Sequence, residues 1–183
     1  MNRREILLAA VSVAAIGAGA GSAVWRARHG DGGSTGEPVS SAPTDGPDVW
    51  ALSFVTLDGP ALAMRGLRGK PLLINFWATW CVPCVTEMPL LDTFARTHSI
   101  AGWNVLALAV DSADPVRRFI AEHSLRLPVA LAGEEGLDLS RRLGNRAGGL
   151  PFSVAFNAAG SVVQRKLGAL DAGVLETWAA STR

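Results

Sequence analysis

"NFWATWCVPCVTEMP", Asn75 to Pro89, holds both cysteines of a 183-residue chain, with two residues between them. A disulfide between Cys81 and Cys84 would close a small ring, and a small ring removes little entropy from the unfolded chain. The pair is therefore a poor staple, which leaves redox chemistry or a metal site. The flanking residues say where it sits. "PLLINFWATW", starting at Pro71, is a near-continuous apolar run of strand length, the pattern of a strand covered on both faces. Beyond Cys81 the period changes. Val85, Met88, Leu91 and Phe94 recur at helical spacing, so a helix is predicted from Cys84 to His98, kinked at Pro89.

A Cys-X-X-Cys at a strand-to-helix junction has a physical logic. At a helix start, unpaired N–H groups and the positive dipole end favour an anion, and a thiolate is one. Cys81 is thus the expected nucleophile, with its pKa below that of a free thiol. Cys84, one turn on and more buried, is placed to resolve a mixed disulfide formed at Cys81. Pro83 removes one N–H and stiffens the loop. A structural zinc would need two further ligands, and His29, His98 and His123 do not pair at ligand spacing. Redox chemistry is the better reading, with no metal and no cofactor beyond the Cys81–Cys84 disulfide itself. Trp77 and Trp80 are expected to pack around the loop.

Outward from this segment, "VWALSFVTLDGPALAM" reads as two short strands around a "DGP" turn, and "WNVLALAVD" as a second buried strand. "DPVRRFIAEHSL" reads as a helix with Asp114 as N-cap and Pro115 at the first helical position. "LPVALAG" is strand-like, and "GLDLSRRLG" is a short helix ending at Gly144. "PFSVAFNAAGSVVQRKLG" is an antiparallel hairpin around "NAAG", and "DAGVLETWAAST" is a terminal amphipathic helix. Alternation first and a hairpin last predict an α/β fold, a mixed sheet sandwiched by helices.

The N-terminus stands apart. Arg3 and Arg4 precede an uncharged run from Ile6 to Trp25, about long enough to cross a bilayer core. Residues 1–27 read as an export signal or a signal anchor. Gly21–Ala23 offers small residues to a signal peptidase, whereas Arg26, Arg28 and His29 are unusual neighbours for a cleavage site. "NRREIL" looks like a loose twin-arginine signal. Residues 28–48, rich in Gly, Ser, Thr and Pro, read as a flexible linker, and residues 49–183 as the folded domain. A formal charge of +1 gives no electrostatic reason for a nucleic-acid partner, and 49% hydrophobic residues suit one globular domain with appendages.

The segment resembles the active-site stretch of thioredoxin-fold proteins of the TlpA/ResA type, and the likeness runs from "FVTLDG" through "GLPFSVAFNAAGSVV". The resemblance implies a thioredoxin-like fold with an extra N-terminal β-hairpin. It implies a membrane-tethered or exported thiol–disulfide reductase on the extracytoplasmic side of the membrane, a monomer. Disulfides of exported proteins would be its substrates, for example in cytochrome c or copper-centre maturation. A transmembrane thiol carrier of the DsbD/CcdA type would supply its electrons. Position by position, the family's cysteines match Cys81 and Cys84, and its cis-proline matches Pro151 in "GGLPF". Thioredoxin proper has an Asp six residues before the first Cys; Asn75 stands there and cannot titrate. Asp114, which matches better, or Asp111 is then expected to take the Cys84 proton, although Asp114 is also an attractive N-cap. Glu87 is expected to be a solvated charge in the first helical turn. Two rival readings fit less well. A peroxiredoxin needs Pro-X-X-X-Thr/Ser-X-X-Cys, and Ile74 and Ala78 occupy those places. A copper chaperone of this fold spaces its cysteines by three and adds a distal His.

Overall fold

The computed structural model describes residues 48–182. The expected signal or anchor segment and all of the linker but Asp48 lie outside these residues. Among the described residues no helix is long and apolar enough to cross a membrane. A 3₁₀ turn at Val49–Ala51 leads into β1 (Ser53–Thr56) and β2 (Leu62–Ala63), and a second 3₁₀ turn spans Met64–Leu67. Then follow β3 (Leu72–Trp77), α1 (Val82–His98), β4 (Asn104–Ala109), α2 (Ala113–Glu122) and β5 (Val129–Leu131). The chain ends with α3 (Glu135–Arg142), β6 (Phe152–Phe156), β7 (Val162–Leu167) and α4 (Ala172–Ser181).

The strands form one seven-stranded sheet in the order β2-β1-β5-β4-β3-β6-β7. β3 pairs parallel with β4, and β4 with β5; the other pairings are antiparallel. All six residues of β3 are buried, as its unbroken apolar run requires. Successive side chains point to opposite faces. Leu73 and Trp77 join a cluster with Met88 and Leu91 of α1, Val116 of α2 and Leu175 and Trp178 of α4. Leu72, Ile74 and Phe76 join another with Met64 and with Leu139 and Leu143 at α3. The sheet is thus covered on both sides, and the end of β3 delivers the cysteine loop to the start of α1.

The start of α2 differs from the expectation. The N-cap of α2 is Ser112, with extended backbone, and Pro115 is the third helical residue, within the first turn, where a missing N–H is tolerated. Asp114 lies inside the helix and caps nothing; its carboxylate pairs with Arg117 at 3.3 Å. Helix α1 runs from Val82 to His98 with Pro89 inside it. Its middle is tied down from outside, because buried Asp92 accepts from the Arg126 and Leu127 N–H groups at 2.7 and 2.9 Å.

Candidate active site

The site begins where β3 ends. The Trp77 carbonyl accepts from Val110 N–H at 2.8 Å, joining the ends of β3 and β4. Ala78 to Cys81 then form a turn, with the Cys81 N–H donating to the Ala78 carbonyl at 3.2 Å. Cys81 is the N-cap of α1 and has extended backbone, and Pro83 lies in the first turn. Cys81 and Cys84 are joined as a disulfide with a Cα–Cα distance of 5.2 Å. Cys84 is fully buried and Cys81 is 7% exposed, so of the two cysteines only Cys81 reaches the surface. Trp77 is enclosed, packed against Phe119 at 5.3 Å between ring centroids. Trp80 does not pack around the loop: it is 64% exposed and, with Val82, forms an apolar shoulder beside Cys81.

Pro151 follows a cis peptide bond from Leu150. The β3–β6 register pairs Phe76 with Phe152, so one further step sets Pro151 across from Trp77, at the end of the sheet where the cysteine loop emerges. Leu150 packs against the cluster that contains Cys81 and Cys84.

The two Asp candidates separate. Asp114 is 80% exposed at its side chain, and no hydrogen bond links it to Cys84 among the described residues. Its partner Arg117 donates to the Leu57 carbonyl at 2.8 Å, so this group fastens α2 to the segment after β1. Asp111 is at the site but occupied as a clamp. Its Oδ2 accepts from the Thr79 N–H at 2.9 Å and the Thr79 hydroxyl at 2.6 Å, and its Oδ1 accepts from the Ser112 N–H at 2.7 Å. It fixes the turn that carries Cys81.

Glu87 is the residue the sequence reading placed wrongly. It is 4% exposed, not solvated. One turn after Cys84, it lies on the inward face of α1 with Cys84, Met88 and Leu91. Its Oε2 accepts from the Leu170 N–H at 2.6 Å, and its Oε1 accepts from the Asn75 amide at 2.8 Å. Asn75 also donates to the Ser153 hydroxyl at 2.9 Å, and its own Oδ1 has no partner. Burial pushes the Glu87 carboxyl above the usual 4.5, against the lowering pull of the Leu170 N–H, the Asn75 amide and the Lys166 charge. A carboxyl whose burial favours its protonated form, one turn from a buried thiol, is suited to exchanging a proton with it. The signal is in the spacing: Cys84, Glu87, Met88 and Leu91 share the inward face of α1, which a first-turn position alone does not show.

The redoxin family matches residues 39–179. The thiol-disulfide oxidoreductase ResA of Bacillus thuringiensis is 33% identical over 121 residues, which cover 64% of this chain and 68% of that protein. ResA of Halalkalibacterium halodurans is 29% identical over 129 residues, 69% of this chain and 71% of that protein. Among solved structures, a thiol:disulfide interchange protein of the thioredoxin family from Chlorobium tepidum superposes with a TM-score of 0.67 at 25% identity, over 78% of this chain and 98% of that one. A secreted Mycobacterium tuberculosis disulfide oxidoreductase gives 0.61 at 20% identity, over 74% and 98%. With its thioredoxin-like fold and its Cys-X-X-Cys at a helix start, the chain belongs to the redoxin family as a thiol-disulfide oxidoreductase of the TlpA/ResA type.

Proposed function

We propose that the protein is exported and reduces disulfides of other exported proteins. One observation carries the reading: a redox pair at a helix N-terminus whose first cysteine reaches the surface while the second is enclosed, one turn before a buried acid. In the reduced protein the Cys81 thiolate attacks one sulfur of a substrate disulfide. A Cys81–substrate disulfide forms, and the other substrate sulfur leaves as a thiolate and takes a proton from solvent. Cys84 then gives its proton to Glu87 and attacks Cys81 Sγ. The Cys81–Cys84 disulfide closes, and the second substrate thiolate departs. Two electrons have passed from the pair to the substrate, and an external dithiol must return them. Asp111 holds the loop through Thr79, and Pro151 fills the opposite wall.

Export is supported by the apolar N-terminal run and by the secreted relative of the same fold. The ResA likeness supports a transmembrane thiol carrier of the DsbD/CcdA type as the electron source. It also supports apocytochrome c or copper-centre assembly proteins as substrates. The direction is tested by equilibrating the Cys81–Cys84 couple against glutathione or dithiothreitol buffers. A potential near that of thioredoxin (~ −270 mV) is expected; a value near that of DsbA (~ −120 mV) would reverse the assigned direction.

A further inference from the structure

The segment between α3 and Pro151 is organised by one buried side chain. Asn145 is 2% exposed. Its amide nitrogen donates to the Gly149 carbonyl at 2.8 Å and to the Ser140 hydroxyl at 3.1 Å. Its backbone N–H donates to the Ser140 carbonyl at 2.9 Å, and its carbonyl accepts from the Gly148 N–H at 3.0 Å. Positive φ at Gly144 (112°) and Gly148 (68°) lets the chain double back around it. Arg165 of β7 closes the other side, its Nε donating to the Leu143 carbonyl at 2.7 Å.

The orientation of this amide is determined. Turned over, its oxygen would face the Gly149 oxygen, and two acceptors repel. As placed, Oδ1 has no partner. A buried unpaired acceptor is penalised, so the arrangement is kept for what the nitrogen does. Gly149–Leu150 is a trans peptide, whose C=O and N–H point in opposite directions. With the Gly149 oxygen drawn inward onto Asn145, the Leu150 N–H is turned away from the interior. Among the described residues the Leu150 N–H and C=O have no hydrogen-bond partner in the chain. They lie one residue before Pro151, at the end of the sheet where the cysteine loop emerges.

We propose that Asn145 is a positioning residue for substrate docking. By holding the Gly149 carbonyl it aims the Leu150 N–H at a backbone carbonyl of the segment carrying the target disulfide. The ligand class is an extended polypeptide, because a small disulfide has no backbone to pair. The inference rests on the oxidoreductase reading above, and the test keeps the two apart.

The full chain and its Asn145→Asp variant are assayed on insulin disulfides with dithiothreitol as reductant, and on dithiodipyridine, a small disulfide without a peptide backbone. Aspartate matches the shape of asparagine but presents an acceptor to the Gly149 oxygen. KM for insulin should rise about five- to tenfold, the worth of one net hydrogen bond. The rate with dithiodipyridine and the pH profile of Cys81 alkylation should stay unchanged. Ser140→Ala, which loses the other amide contact and the hydroxyl's bond to the Leu137 carbonyl but keeps the Gly149 contact, should leave KM for insulin in place. If Asn145→Asp does not fold, Asn145→Ala removes the donor without the repulsion and should show the same split. An unchanged insulin KM, equal losses on both substrates, or failure of both variants to fold would each overturn the proposal. A wild-type protein inactive on both disulfides would instead overturn the oxidoreductase reading and take the inference with it.

Discussion

Replacing Glu87 tests the assignment of the buried acid, and two substitutions separate its roles. Glu87→Ala removes the acceptor of two donors. The Leu170 N–H loses its 2.6 Å partner outright, whereas the Asn75 amide keeps the Ser153 hydroxyl. An orphaned buried donor costs about 1–3 kcal/mol, and the vacated volume adds to it, so a loss of about 2–4 kcal/mol is expected. Glu87→Gln should be far milder. Its oxygen can still accept from Leu170, and its nitrogen can donate to Asn75 once that amide turns its unpaired Oδ1 toward it. The charge, however, is gone. The wild-type carboxyl has a native pKa raised above 4.5, so over the interval between the unfolded and native values the folded state binds more protons than the unfolded state. Stability then falls as pH rises. The Glu87 contribution is complete below the unfolded value and is lost as pH climbs through the native one. Urea unfolding of both proteins from acid to alkaline pH should show the wild type losing ground to Glu87→Gln across that interval, then running parallel. Parallel curves throughout, or a wild type that gains on the variant with rising pH, would refute the buried-acid argument. In stopped-flow thiol exchange, Glu87→Gln should slow the Cys84 step at neutral pH by roughly a hundredfold or more, the scale of a lost general base, and shift its pH profile to the alkaline side.

Other outcomes follow from the same geometry. Cys84→Ser should accumulate mixed disulfides with partner proteins, because a serine hydroxyl cannot resolve them, while Cys81→Ser, left with the enclosed thiol, should not; acid quenching, alkylation and non-reducing gels compare the two. Equal adduct yields would exchange or dissolve the two roles. Asp114→Asn should change stability by no more than about 0.5 kcal/mol in chemical denaturation, since its ion pair with Arg117 is largely exposed. The pH profile of thiol exchange should not move in that variant, and a shift would return Asp114 to the proton path.

Much of the fold could be read from periodicity because β3 and β4 are buried on both faces and have almost no polar interruption. The switch from that run to helical spacing at Cys81 located the strand-to-helix junction, and with it the redox pair. Element edges were harder. Ser112 and Asp114 are both cap residue types two residues apart; the helix starts after Ser112, and Asp114 pairs with Arg117 at i,i+3 on the helix surface. Local pattern does not separate two such caps, nor does it show that Arg117 is held by the Leu57 carbonyl from a distant segment. Asp111 was legible as an acid near the site but not as a clamp, since Thr79 meets it only after β3 and β4 align in parallel.

Asn75 shows why the acid itself was missed. Where thioredoxin has its aspartate this chain has Asn75, and the acids the sequence offers in its place, Asp111 and Asp114, follow the next strand. The structure answers across a contact. Asn75 points from β3 to Glu87 at 2.8 Å, so the buried carboxyl is present beside the position where it was sought, carried by α1 instead of the strand. An amide is a fitting tenant for the strand position. It donates to the acid without adding a second negative charge to a site already costly to ionise, and a like charge there would push both carboxyls toward protonation. Ser153 holds the other edge of the amide, and Leu170 fixes the far carboxylate oxygen. The acid that can take the Cys84 proton is therefore joined to β6, which follows Pro151, and to the loop before α4, while Cys84 shares its helix. The proposed proton acceptor and resolving thiol sit one turn apart on α1, and the loop around Cys81 is held separately by Asp111 through Thr79.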